Sequence, residues 1–90
     1  MAYADTQIEA PEADLKSDAA PEEFYRLGLI YSTGMGVAAD LVAAHKWFNL
    51  AALRGSQDAK ACRKDMADQM TTEEVRAALK AAREWMLKAN

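Results

Sequence analysis

Apolar residues at helical spacing, separated by residues that begin and end helices, constrain this chain of 90 residues more than any other feature. Phe24, Leu27, Gly28 and Tyr31 fall at i, i+3, i+4 and i+7, which places them on one face of a helix. Only two prolines and four glycines interrupt the chain, and alanine, the best helix former, is abundant. We therefore predict an all-α fold.

The boundaries of the first two helices can be read from the sequence. Pro21 suits the first turn of a helix, and Gly34 lies where a C-terminal cap is expected. The second helix is expected to follow Asp40, a favoured N-cap residue, and to run to about Arg54, with Gly55 behind it. Its apolar face is wide, which indicates contact with more than one neighbour. The residues of that face are Leu41, Ala43, Ala44, Trp47, Phe48, Leu50, Ala51 and Ala52.

Two further helices are predicted behind Gly55. Ser56 is a favoured N-cap for the third, and Thr71 with Glu74 has the pattern of a capping box before the fourth. Short loops between the helices predict a solenoid-like α/α bundle of about four helices, each antiparallel to the last. The third helix carries Ala59, Cys62, Met66 and Met70 on one face. The inner face of the fourth is expected to comprise Val75, Ala78, Leu79, Ala82 and Met86, with Trp85 at its edge.

The first twenty residues differ from the rest of the chain in charge. They hold five acids and one lysine, a net charge of −4, whereas residues 21–90 carry a net charge of +1. Their apolar residues, Tyr3, Ile8 and Leu15, are widely spaced. Such a composition is typical of disorder, so we predict a disordered acidic tail over residues 1–20 and one helical domain over residues 21–90.

The block from Leu27 to Gly55 resembles the Sel-1-like repeat, a tetratricopeptide-like helix–turn–helix unit. The resemblance lies in twelve positions across both helices and both bounding turns: Leu27, Gly28, Tyr31, Gly34, Gly36, Val37, Asp40, Ala44, Trp47, Ala51, Ala52 and Gly55. It implies one clear repeat over residues 21–55. It also implies a scaffold or adaptor of bacterial type, since the family mostly mediates contacts between proteins.

The sequence departs from the family pattern on both sides of this block. Glu23 stands where the family usually has a small residue, and Arg63 with Lys64 replaces the expected Leu-Gly of a second unit. Residues 56–90 therefore resemble a degenerate half-repeat that caps the first. A single solenoid unit cannot bury its faces alone, so it needs capping elements or a partner.

The Gly34-Met35-Gly36 segment has two interpretations, a phosphate-binding loop or a tight corner. Phosphate loops follow a strand and bring a lysine or further glycines at fixed offsets, neither of which is predicted here. A corner needs only the freedom of glycine to adopt positive φ. We favour the corner.

No catalytic or metal-binding set can be assembled around the single histidine or the single cysteine. His45 has no Cys or His near it at ligand spacing, so a surface or half-buried position is favoured. Cys62 shares a face with Ala59 and Met66, which favours a packed thiol, although the neighbouring Arg63 leaves a reactive one open. We predict a protein that is not an enzyme and uses no cofactor and no metal.

Other partners and compartments are constrained by composition. The chain has no basic stripe for a phosphate backbone, so nucleic acid is not expected as a ligand. Neither a signal-peptide pattern nor an apolar run of membrane-spanning length is present, so we expect no membrane contact and a cytoplasmic location. A leader removed earlier is left open.

The first helix is apolar almost all round, and this feature leads to the binding prediction. No preceding repeat covers its second side, and large exposed apolar patches are uncommon on monomers. The cover is expected to be another protein or a second copy of the chain rather than the acidic tail. We predict that Tyr25, Leu29 and Ile30 contact the partner and that Arg26 orients it. The alternative function is a self-assembling structural subunit, a homodimer through the open end of the solenoid.

Overall fold

The computed structural model describes residues 10–89, which form four helices. They are α1 (Pro21–Thr33), α2 (Leu41–Leu53), α3 (Gln57–Asp68) and α4 (Thr72–Lys88). No strand occurs in this range, so the predicted all-α fold of four helices is confirmed. None of the helices in the same range has both the length and the apolarity needed to cross a bilayer.

The predicted cap residues begin three of the helices. The Asp40 carboxylate accepts from the backbone N–H of Ala43 at 3.0 Å, and the Ser56 hydroxyl accepts from that of Ala59 at 3.1 Å. At the start of α4, the Thr71 hydroxyl accepts from the Glu74 N–H at 3.1 Å, and the Glu74 carboxylate accepts from the Thr71 N–H at 2.9 Å. These bonds satisfy N–H groups that have no partner within their own helix.

The Gly34–Gly36 segment is the corner that joins α1 to α2. Both glycines have φ of 76°, in the left-handed region that a residue with a Cβ rarely adopts. The Gly34 N–H closes α1 by donating to the Ile30 carbonyl at 2.8 Å, and the Asp40 N–H donates to the Tyr31 carbonyl at 2.9 Å. The chain therefore reverses in a few residues and lays α2 along α1.

Helices α1 and α2 approach closely at Gly28. A Cβ atom on Gly28 would lie 2.5 Å from Cε1 of Phe48, a distance that real Cβ contacts do not reach. Phe48 is itself fully buried, together with Phe24, Leu27, Trp47 and Leu50. The missing side chain at position 28 lets this aromatic core close.

Helix α2 is the centre of the domain, because each of the other three helices packs on it. Its Asn49 faces α3, where the Arg63 guanidinium donates to the Asn49 side-chain oxygen at 2.7 Å. Its Trp47 faces α4, where the Trp85 ring lies with its centroid 5.7 Å away. Helix α4 thus packs on the opposite side of α2 from α3, and the wide apolar face predicted for α2 serves all three neighbours.

The inner face of α4 differs from the prediction. Ala78 and Ala82 are buried as expected, but Trp85 is turned inward against α1 and α2, whereas Leu79 and Met86 are exposed. The prediction was wrong for these two side chains. The reason is physical: the indole carries the largest apolar area on α4, and it finds two aromatic rings to pack on.

Residues 10–20 lie against the helices. Leu15 packs on the core, Ala19 is buried, and residues 11–14 form a turn. The Arg54 guanidinium extends across the Phe24 ring and donates to the Ala19 carbonyl at 3.4 Å. This order is a difference from the disorder expected over residues 1–20, of which residues 1–9 lie outside the described range.

Candidate functional site

Tyr25, the first of the predicted contact residues, lies on α1 and is half-buried against α3. Its ring packs on Phe48 with centroids 5.8 Å apart, and its hydroxyl is 4.0 Å from the Cys62 sulfur, the outer limit of a hydrogen bond to sulfur. The contact with Cys62, together with burial and the nearby Asp58 carboxylate, raises the pKa of Tyr25. Cys62 is therefore packed, as predicted, and has a tyrosine as its polar neighbour.

The outer edge of Tyr25 borders a cleft of about 300 Å³ between the starts of α1 and α3. The wall of this cleft carries two acidic residues, Glu22 and Asp58. None of its lining residues is positively charged. The lining consists of Pro21, Glu22, Tyr25, Gly55, Ser56, Gln57 and Asp58.

The other three predicted contact residues are in different surroundings. Leu29 and Ile30 are half-buried and pack against the core, so most of their apolar area is used within the domain. Arg26 is exposed and borders a second, smaller cleft of about 90 Å³ between α1 and the segment that contains Leu15. The structure thus does not gather the four residues on one open face. Their role in binding stays a prediction.

The second side of α1, for which we expected an intermolecular cover, is covered within the chain. Leu15 and Ala19 pack on the core, and the Tyr31 hydroxyl donates to the Glu12 carboxylate at 2.7 Å. Burial, and secondarily this bond, raises the pKa of Tyr31 to about 12. Trp85 completes the cover by meeting Phe24. Residues 10–20 can do this because Leu15 and Ala19 fall where the core is open.

His45 lies deep in the α2–α3 interface. It is only 3% exposed, so the surface or half-buried position expected for it was wrong. Its Nδ1 atom has no hydrogen-bond partner among residues 10–89. Burial, and then the positive charge of Arg63, lowers the pKa of His45 and keeps the ring neutral. No group of three His, Cys, Asp or Glu side chains in the same range could hold a metal ion.

The largest exposed apolar side chains of the helices lie on α4 and at the end of α2. Leu53 is 61% exposed, Leu87 73%, Leu79 41% and Met86 40%. Leu53 precedes Arg54, which covers one part of the Phe24 ring, and Met86 follows Trp85, which meets another. Leu53 and Met86 therefore each adjoin a residue that contacts Phe24.

Comparisons with models of known families, with curated proteins and with solved structures give no match. On α4, Val75, Leu79 and Met86 fall at i, i+4 and i+11, one line along the helix that we name the α4 stripe.

Charged side chains lie beside the α4 stripe on the helix surface. Arg76, Lys80 and Arg83 fall at i, i+4 and i+7 and are all exposed; we name them the basic row. Lys80 makes a long, exposed ion pair with Glu84 at 3.8 Å, and Arg76 and Arg83 make none with the residues that the structure describes. The sequence pattern predicted the apolar positions on α4 correctly but placed Leu79 and Met86 on its inner face. The signal that could have corrected it is Trp85, whose size favours the interior.

Proposed function

We propose that this chain is a non-enzymatic protein-binding module, an adaptor, scaffold or regulatory binding protein. The observation that carries the proposal is the exposure of Leu79, Met86 and Leu87 within nine residues of one helix. Apolar side chains that are grouped on a surface and bordered by charge are typical of protein interaction sites.

The resemblance to Sel-1-like repeats supports the same class of function. The residues that carry it have structural tasks in the α1–α2 hairpin: Gly28 admits Phe48, Gly34 caps α1, Asp40 caps α2, and Trp47 is buried. None of these side chains is left over for chemistry. The α1–α2 hairpin therefore has a structural role, and it holds the neighbouring surfaces in position for binding.

The α4 stripe is the first binding surface that we propose, and it differs from the α1 face proposed from the sequence. Leu29 and Ile30 already pack on the core, so they have less area to offer a partner than Leu79 or Leu87. Tyr25 and Arg26 each border a cleft and are retained as a second surface on α1.

Affinity capture from a lysate of the source organism tests the proposal. The intact chain is compared with the double variant Leu79→Ser/Met86→Ser, and with Lys60→Ser on the exposed side of α3 as the matched control. We expect proteins that are enriched by the intact chain and by the control to be lost with the double variant. Equal recovery with all three would reject the α4 stripe as the binding surface. Arg26→Glu is captured in parallel, and loss of the bound proteins only with this variant would place the binding surface on α1.

Self-assembly is the second candidate function. It is favoured by Leu53 and Leu87, the two most exposed large apolar side chains of the described residues. Sedimentation equilibrium separates the two candidates. A monomer throughout the micromolar range would exclude a homodimer, whereas a stable dimer that dissociates on Leu87→Ser would favour it.

A further inference from the structure

The α4 stripe and the basic row together specify the chemistry of a partner. We infer that the partner contributes an acidic amphipathic helix, which lies along α4 with its apolar face on the stripe and its carboxylates beside Arg76, Lys80 and Arg83. The inference rests on the proposed function and names the kind of partner that the α4 surface fits. It belongs to the recognition mode in which an amphipathic helix occupies an apolar strip on a folded domain.

The shape of the surface favours a helix. The stripe extends from Val75 to Met86, a rise of about 16 Å along α4 at 1.5 Å per residue. One edge of the stripe is closed by Ala78 and Ala82, which are buried on α2, and the other edge is the basic row. A partner helix about three turns long would cover the exposed parts of Leu79 and Met86.

The charges select the sign of the partner. The three cations stand on one side of the stripe; Lys80 makes a long ion pair with Glu84 at 3.8 Å, and Arg76 and Arg83 make none with the residues described. Two guanidinium groups are thus free to bind carboxylates in bidentate geometry. The cations lie within one helix turn of the apolar contact, so a basic partner would be repelled along its whole length.

The same charges argue against a second copy on this surface. In an antiparallel two-fold pair, the basic row of one α4 would lie beside the basic row of the other. Like charges at such positions destabilise a pair of helices. A homodimer through Leu53 and Leu87 would leave the stripe itself open.

An anionic membrane surface fits the stripe less well than an acidic helix. Helices that bind in the plane of a membrane bury aromatic and large apolar side chains below the headgroups. The aromatic side chain of α4, Trp85, is turned inward against Phe24 and Trp47. Leu79 and Met86 are more than half covered, which leaves Leu87 as the one large apolar side chain on α4 that is mostly exposed.

Fluorescence anisotropy with designed peptides tests the inference on the full chain. The probe is a labelled helical peptide of about 16 residues with leucine at i, i+3, i+4 and i+7 and glutamate beside it. The matched probe has lysine in place of every glutamate. We expect saturable binding of the acidic probe that weakens with added salt, and at least about tenfold weaker binding of the basic probe.

Charge variants show whether the basic row is responsible. Arg76→Glu/Lys80→Glu/Arg83→Glu is expected to weaken the acidic probe by about tenfold or more and to bind the basic probe instead. Lys60→Glu/Lys64→Glu on α3 is the matched control and is expected to leave binding unchanged. The single variant Arg83→Gln keeps the test informative if the triple variant is poorly folded by circular dichroism, and we expect it to weaken the acidic probe measurably.

Three outcomes would overturn the inference. These are equal affinity for both probes, unchanged affinity in Arg83→Gln and the triple variant, or binding to vesicles of phosphatidylserine and phosphatidylcholine without binding to either peptide. Captured proteins that are lost with Leu79→Ser/Met86→Ser but retained with the triple variant would overturn the acidic partner while leaving the proposed function intact. A failure of capture with every form would instead count against the proposed function.

Discussion

The Trp85 ring meets the Phe24 ring edge-to-face, with centroids 5.3 Å apart and an angle of 87° between the planes. This contact joins the last helix to the first and, with Trp47 from the middle of α2, forms an aromatic cluster. It brings α4 into the aromatic core of the domain.

Trp85→Ala is therefore expected to lower the free energy of unfolding by about 2–4 kcal/mol, because it removes a large, partly buried aromatic side chain and both of its ring contacts. Urea unfolding followed by circular dichroism measures the change. Leu87→Ala, on the exposed side of the same helix, is the control and should change the free energy by no more than about 0.5 kcal/mol. Equal effects of the two substitutions would mean that the Trp85 contact does not stabilise the fold.

Gly28→Ala is expected to destabilise the protein, although alanine is the better helix former by about 1 kcal/mol. The added methyl group would overlap the fully buried Phe48 ring, and overpacking of this kind costs about 1–3 kcal/mol. In the background of Phe48→Leu the same substitution should cost less, since the ring is absent. A more stable Gly28→Ala protein would show that the two helices can move apart without penalty.

His45 should make the stability of the protein depend on pH. Burial lowers its pKa in the folded state below the unfolded value of about 6.5, so the unfolded state binds more protons in that range. The free energy of unfolding is therefore expected to fall as pH decreases through about 6.5 and to keep falling until the folded pKa is passed. Urea midpoints between about pH 7.5 and 5 measure the slope, which should be smaller in His45→Gln. The same slope in both proteins would contradict a buried neutral histidine.

Tyr31 should ionise far above the usual range of tyrosine. Partial burial, and secondarily its hydrogen bond to Glu12, raise the pKa of Tyr31 to about 12. Glu12→Gln is expected to lower this pKa while leaving it above the ordinary value of about 10, since burial is the larger cause. Ultraviolet titration measures it, and Tyr31→Phe identifies the transition. The raised pKa adds stability that is complete below about pH 10 and is lost as pH rises through about 12. A Tyr31 pKa near 10 would mean that the segment around Glu12 is not docked.

Leu29→Asp and Arg26→Asp separate packing from binding on α1. Leu29 packs on the core, so a charge there is expected to cost about 2–3 kcal/mol, whereas Arg26 is exposed and should tolerate the change within about 0.5 kcal/mol. Thermal unfolding compares the two. A stable Leu29→Asp protein that no longer binds its partner would support the α1 face predicted from the sequence.

Local signals predicted the helices because they act within a few residues. The side chains of Asp40, Ser56 and Thr71 each bond to a backbone N–H three positions away, and Gly34 adopts its φ without help from distant residues. The burial of Trp47 also followed from periodicity. What periodicity could not give was the rotation of α4, since Leu79, Met86 and Trp85 all lie near the border of its apolar face.

The sequence by itself determined four helices, their caps and the corner at Gly34–Gly36, because hydrogen bonds and backbone angles at helix ends are local. Only the tertiary structure decided which apolar side chains are buried in the core and which remain exposed. Trp85 and Leu15 cover α1 from within the chain, and Leu79 and Met86 are left outside as a result. That choice depends on the shapes of side chains up to about sixty positions apart, because the Trp85 indole finds two buried aromatic rings to pack on.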